Sequence, residues 1–159
     1  MLENAENFIT EYEEAKKVFT EKMQAEIKNI FKQFFNECTE IKTIRWVQYT
    51  PYFNDGEECV FRVSEPYFSN AKPELLNPWG ELDSFKDESL FSEVAYYCDP
   101  TRHEHGNEYV SSETYKNCSE LSKLLCSGSM ESILKNIFGD HVCVTITKDG
   151  IDVEECEHE

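Results

Sequence analysis

The N-terminal stretch carries one long periodic signal. Apolar side chains recur at Ala5, Phe8, Tyr12, Ala15, Phe19, Met23, Ile27, Ile30, Phe34, Cys38 and Ile41, so 36 residues are covered in 10 steps at a mean spacing of 3.6, the α-helical period. No proline or glycine interrupts the run. Ile9, Val18, Phe31 and Phe35 widen the stripe, a breadth that suits packing on a core better than a narrow coiled-coil seam. Such a helix reaches about 55 Å at 1.5 Å per residue, longer than a globule of this size is wide. It must break, with Thr20 the expected place, or overhang and pack on a second chain.

The remainder of the chain fits an α+β fold: the long helix, two β-hairpins in an antiparallel sheet, and two or three further helices packed on one face. The run from Ile44 to Tyr49 and the alternation Cys59-Val60-Phe61-Arg62-Val63 flank a turn signal at Asn54-Asp55-Gly56. In that hairpin Cys59, Phe61 and Val63 face the core and Arg62 faces water. Ser84 to Cys98 has helical spacing, and residues 99–110 are polar and turn-rich. Helices are expected over Ser112–Cys126 and Ser129–Phe138, with Ser129 capping the second and Gly139 ending it. At the C-terminus, His141–Lys148 and Ile151–Cys156 flank Asp149-Gly150, a favoured two-residue turn. Partners then sum to 299, which places Cys143 across from Cys156. The chain of 159 residues reads as one domain: 1–41 a helix or helix pair, 42–64 a hairpin, 65–111 an irregular or helical insert, 112–138 two helices, 141–156 a hairpin.

Charge narrows the function. The chain holds 15 basic and 32 acidic side chains, a net of -17. The imbalance lies beyond the helix, because residues 1–42 carry 9 acidic and 6 basic groups. Such a field repels nucleic acid, anionic membranes and phosphorylated substrates, and it attracts basic protein surfaces. No run approaches the ~18 apolar residues of a membrane helix, and Glu3 and Glu6 stand where a signal peptide is basic and then apolar. Seven cysteines without a C-x-x-C pair read as reduced thiols. A cytoplasmic protein is expected.

No G-x-S-x-G, Walker or G-x-G-x-x-G pattern occurs. His103-Glu104-His105, with Cys98 and Asp99 upstream and His141 or His158 elsewhere, is one side of a zinc-like ligand set without the other, and a solvated polar loop explains it better. With 32 carboxylates, adjacent pairs such as Glu57-Glu58 and Glu154-Glu155 read as solvated faces rather than acid/base groups.

The stretch Trp46-Val47-Gln48-Tyr49-Thr50-Pro51-Tyr52-Phe53-Asn54-Asp55-Gly56-Glu57-Glu58-Cys59, followed by Phe61-Arg62-Val63, resembles a pattern in small bacteriophage-encoded proteins. In these, W-x-Q-Y-T-P-Y-F-N-D-G-[DE]-x-C follows a long N-terminal helix. The resemblance implies no chemistry. It implies origin as a phage or prophage accessory protein, a class rich in inhibitors of host enzymes and immune systems. The motif reads first as architecture, with Trp46, Tyr49, Tyr52 and Phe53 wedging the hairpin against the helix. It reads second as a docking ledge of Tyr52-Phe53 and Tyr67-Phe68 rimmed by acidic groups.

The expectation is therefore a non-enzymatic, phage-type interaction protein in the cytoplasm of a bacterial host cell. It would bind and inhibit a host protein with a basic surface, such as a nucleic-acid-binding defence enzyme, by acidic mimicry of nucleic acid around an aromatic patch. The candidate contacts are Tyr52, Phe53, Asp55, Glu57, Glu58, Asp152, Glu154 and Glu155. No cofactor, metal, membrane or direct nucleic-acid contact is expected, and the N-terminal helix offers a homodimer surface. Two alternatives stand beside this. One is a binder of a nucleotide-like small molecule, if Arg45, Arg62 and Arg102 converge on one concave site. The other is a metal-dependent hydrolase using His103 and His105.

Overall fold

The β-branched and aromatic run Thr43–Tyr49 forms the central strand, β1, in a computed structural model that describes residues 2–53, 55–76 and 112–157. It is preceded by α1 (Leu2–Glu37) and followed by β2 (Arg62–Val63), β3 (Tyr67–Ser69) and a 3-10 turn at Pro73–Leu75. Then come α2 (Ser112–Leu125), α3 (Gly128–Phe138), β4 (Val142–Thr147) and β5 (Gly150–Glu155). The fold is α+β, with one antiparallel sheet of order β2-β1-β4-β5. β3 lies on the same side of β1 as β2, pairing with its first half while β2 pairs with its end.

Alternation along β1 sends Ile44, Trp46 and Gln48 to the helices. Directly opposite residues in antiparallel strands share a face, so Val142, Val144 and Ile146 join them. Trp46 stacks on Phe31 of α1, centroids 6.0 Å apart, and meets the edge of Phe138 of α3 at 6.1 Å. Ile27, Phe34, Cys118, Leu121, Leu125 and Leu134 complete this core. Residues on the other face of β1 and β4, among them Thr43, Val47 and Cys143, are buried as well.

Four expectations need correction. Of the two alternatives for α1, the break at Thr20 is overturned and the overhang stands: the helix runs unbroken from Leu2 to Glu37, and the Thr20 hydroxyl donates to the Lys16 carbonyl at 2.9 Å. Only its last third packs on the core; residues 2–19 are exposed, Ile9 and Val18 included, whereas Phe31 and Phe35 are buried as their spacing suggests. α3 starts at Gly128 with Ser127 in the capping position, because Ser127 keeps extended backbone and its carbonyl accepts the Glu131 N–H; Ser129 lies inside the helix. Gly139 ends α3 as expected, at a φ of 96°.

The register of the C-terminal hairpin is the fourth. Thr147 pairs with Gly150 and Val144 with Val153, so partners sum to 297 and the turn residues are Lys148 and Asp149. This places Val144 opposite Val153 and Ile146 opposite Ile151, whereas the expected register puts Val144 against Glu155. A slip of two residues leaves every side chain on its original face, so Val144, Ile146, Ile151 and Val153 share a face in either register, although Ile151 is only half-buried and Val153 is exposed. Cys143 stands opposite Glu154, not Cys156.

Candidate interaction surface

The motif of β1 ties into the α3–β4 connection. Trp46 and Gln48 are both fully buried and lie on the same face. The Trp46 indole N–H donates to Gln48 Oε1 at 3.0 Å, and Gln48 Nε2 donates to the carbonyls of Leu134 at 3.1 Å and Gly139 at 2.6 Å. Gln48 thus bridges the last turn of α3 and the residue that follows it. Two residues on, the Thr50 N–H and hydroxyl donate to the Asp140 carboxylate at 2.7 and 2.6 Å. Lys135 Nζ lies 3.3 Å from the same group. Burial alone pushes the Asp140 carboxyl up, but the Thr50, Lys135 and His141 contacts outweigh it and hold it below its ordinary value.

His141 has a φ of 55°, in the left-handed region that non-glycine residues rarely occupy. Three contacts hold it there. Its N–H donates to Asp140 Oδ1 at 2.9 Å, its carbonyl accepts the Cys156 N–H at 2.8 Å, and Tyr52 stacks flat on its ring with centroids 4.6 Å apart. The sequence offers no local sign that Thr50 and Tyr52 meet Asp140 and His141, some 90 residues away.

Between Tyr52 and Phe61 the chain turns at Asp55 and Gly56, at φ 36° and 87°, while Asn54 of the expected turn lies outside the described residues. The structure divides the aromatic motif. Trp46 is core, whereas Tyr52 is 71% and Phe53 78% exposed. Asp55, Glu57 and Glu58, a few residues further along the chain, are exposed as well. The second half of the expected ledge is absent, because Phe68 pairs with Ile44 across β3 and β1 and is buried against Phe34. Cys59 and Phe61 are half-buried and Val63 buried, as alternation requires, but strand pairing with β1 is confined to Arg62–Val63. Arg62 is exposed and lies 3.6 Å from Glu131, whose other oxygen accepts the Val63 N–H.

The three C-terminal candidates separate. Glu155 pairs with Val142 at the end of the sheet where Tyr52 stacks on His141. Asp152 and Glu154 lie on the face away from the helices, opposite Thr145 and Cys143. There they line a trough of about 610 Å³ with Glu74, Asp149 and Arg45. Arg45 donates to Thr145 Oγ1 at 2.8 Å and to the Leu76 carbonyl at 3.1 Å. Arg62 does not line this trough, so the two described arginines do not converge. Arg102, Cys98, Asp99, His103, His105 and His158 lie outside the described residues, as does the 84–98 helix expectation.

Three of the described thiols, Cys38, Cys126 and Cys143, are held in the poorly nucleophilic neutral form. Burial, aided by Glu65 and Glu131, pushes the Cys126 thiol up to about 11. Burial also takes Cys143 to about 11, against the opposing pull of Arg45, and raises Cys38. Among the described residues no group of three or more His, Cys, Asp and Glu could hold a metal ion, and no helix is long and apolar enough to cross a membrane.

No protein-family model, curated protein or solved structure matches this chain. Its surface must speak for its role. α1 supplies the second unusual patch: Phe8, Ile9, Tyr12, Val18 and Phe19 are each more than half exposed along its first part. Lone exposed apolar residues are ordinary, but these recur at helical spacing along one element.

Proposed function

We propose that this is a binding protein of phage type, which docks on a basic surface of a host protein through the loop after β1 and inhibits it. The observation that carries the reading is the exposure of Tyr52 and Phe53, 71% and 78%, inside a loop that also exposes Asp55, Glu57 and Glu58. An aromatic anchor with an acidic rim suits a basic partner, and the net charge of -17 steers such a partner in. The stacking of Tyr52 on His141 fixes the base of the loop before binding, which lowers the ordering cost of docking. The role of a nucleic-acid mimic acting on a defence enzyme is the specific form of this proposal. In it, Glu155 extends the acidic surface at the loop end, while Asp152 and Glu154 face elsewhere and contribute field rather than contact. The same reading assigns the exposed part of α1 to a second copy of the chain.

The test is capture from nuclease-treated bacterial lysate on the immobilised full chain, eluted along a salt gradient. A single nucleic-acid-binding protein released by moderate salt, and lost with Phe53→Ala at unchanged melting temperature, supports the proposal. Capture indifferent to both salt and Phe53→Ala removes it.

A further inference from the structure

From residue 2 to residue 32 the net charge along α1 changes sign once. Residues 2–15 carry five glutamates and no lysine or arginine, whereas residues 16–32 carry five lysines and two glutamates. Elsewhere the chain is strongly acidic, so this basic segment is set apart from its surroundings. The helix dipole favours acidic groups only within the first turn. It accounts for Glu3 and leaves Glu11, Glu13 and Glu14 on one side of Ala15, and Lys16, Lys17 and Lys22 on the other, without explanation.

The apolar stripe crosses the same boundary. Ala5, Phe8, Tyr12, Ala15 and Phe19 are spaced by three, four, three and four residues, an a/d heptad seam, with Ile9 and Val18 beside it. All of them are exposed, and burial on the chain's own core begins only at Ile27. A helix that carries an unburied seam and both halves of a complementary charge pattern is matched by itself in reverse. A parallel pair sets glutamates against glutamates and lysines against lysines; an antiparallel pair sets each against its opposite.

We propose that α1 pairs antiparallel with α1 of a second copy, with the two-fold axis passing near Ala15, where the sign changes. This rests on the reading of α1 as the self-association surface and deepens it by fixing orientation and register. In this arrangement Glu13 lies by Lys16 of the second copy, on the flank of the seam, Glu6 approaches its Lys22, and Tyr12 packs near its Val18 and Phe19. The small Ala15 side chain lets the helices approach closely at the axis. The two 52–58 loops are then carried on one symmetric particle, so a bound partner meets a bivalent protein.

The experiment is sedimentation equilibrium of the full chain at low salt with two charge-reversed variants. One carries Glu11→Lys, Glu13→Lys and Glu14→Lys; the other carries Lys16→Glu, Lys17→Glu and Lys22→Glu. All six positions are exposed, and Lys and Glu have similar helix propensity, so helicity by circular dichroism stays unchanged. The expected result is a dimer of the 18.6 kDa chain for the native sequence, association weakened by at least about tenfold in Kd for each variant alone, and recovery on mixing the two. Zero-length cross-linking between isotopically distinct native chains gives a Glu6–Lys22 link, which a parallel pair cannot make. A native chain that stays monomeric overturns the proposal, as does a dimer unaffected by either charge reversal. Phe8→Ser with Phe19→Ser supplies the remaining arm. Loss of the dimer at unchanged melting temperature supports the pair, and a lowered melting temperature in a monomeric native protein shows that the stripe is covered within its own chain and overturns it. Phe53→Ala leaves the dimer intact in every case, so failure of host-protein capture and failure of self-pairing are read separately.

Discussion

Tyr52 lies flat on His141, ring centroids 4.6 Å and planes 10° apart, although the two are distant in sequence and Tyr52 is largely exposed. One face of the ring thus serves the fold and the other faces water. Tyr52→Ala is expected to lower stability by about 0.5–1.5 kcal/mol, the worth of an aromatic pair, which moves the melting temperature by about 2–4 °C per kcal/mol. Tyr52→Phe keeps the stack and is expected to stay within a degree or so of the native protein by the same scale. Equal losses for the two variants would point to the hydroxyl rather than the stacked face.

Gln48 is expected to be far less tolerant. It is fully buried, accepts from the Trp46 indole and donates to two carbonyls at the end of α3. Gln48→Leu fills similar space but leaves the buried Trp46 indole N–H without an acceptor and the Gly139 carbonyl without this donor, where each unsatisfied group costs about 1–3 kcal/mol before relaxation. A net loss of about 3 kcal/mol in chemical unfolding is expected. A loss below about 1 kcal/mol would show that these groups find other partners or water.

The range of each interaction decides how much of this was legible in the sequence. The helices of α1, α2 and α3, the central strand and the faces of β4 and β5 were legible because periodicity is local and follows burial. The motif W-x-Q-Y-T announced its importance but not its use, since the partners Leu134, Gly139, Asp140 and His141 belong to another part of the chain. Phe68 looked like a twin of Phe53 because both follow Pro-Tyr. Only strand pairing with Ile44 distinguishes them, sending one to the core and leaving the other in water. The C-terminal turn failed for a related reason. The Asp149-Gly150 preference is a weak local term, and apolar cross-strand matching overrode it.

The Asp140 carboxylate accepts two bonds from Thr50 and lies near Lys135, which is half-exposed and therefore contributes less through solvent screening. Its folded value is depressed, so the stability it supplies is fully present above the ordinary carboxylate range and disappears as pH falls through the lower folded value. Asp140→Asn is therefore expected to melt below the native protein at pH 7 and to approach it once pH drops under about 4. Thermal melts of both proteins from pH 7 to pH 3 check this. A gap that stays constant over the whole range would mean that the charge of Asp140 is not what matters.

The C-terminal register makes a prediction about thiol chemistry. Cys143 stands opposite Glu154 and Cys156 opposite His141, so the two cysteines are diagonal rather than facing. Diagonal neighbours are about 7–8 Å apart at Cα, beyond the separation a disulfide bridges without backbone movement. Cys143 is also buried with its thiol pushed up to about 11, so its thiolate fraction at pH 8 is about one in a thousand. Mild oxidation of the folded protein is expected to leave Cys143 unpaired with Cys156, and alkylation at pH 8 to reach Cys143 only after denaturant is added. Peptide mapping of oxidised and alkylated samples reads both. A Cys143–Cys156 disulfide formed rapidly under native conditions would restore the facing arrangement and, with it, a turn centred on Asp149 and Gly150.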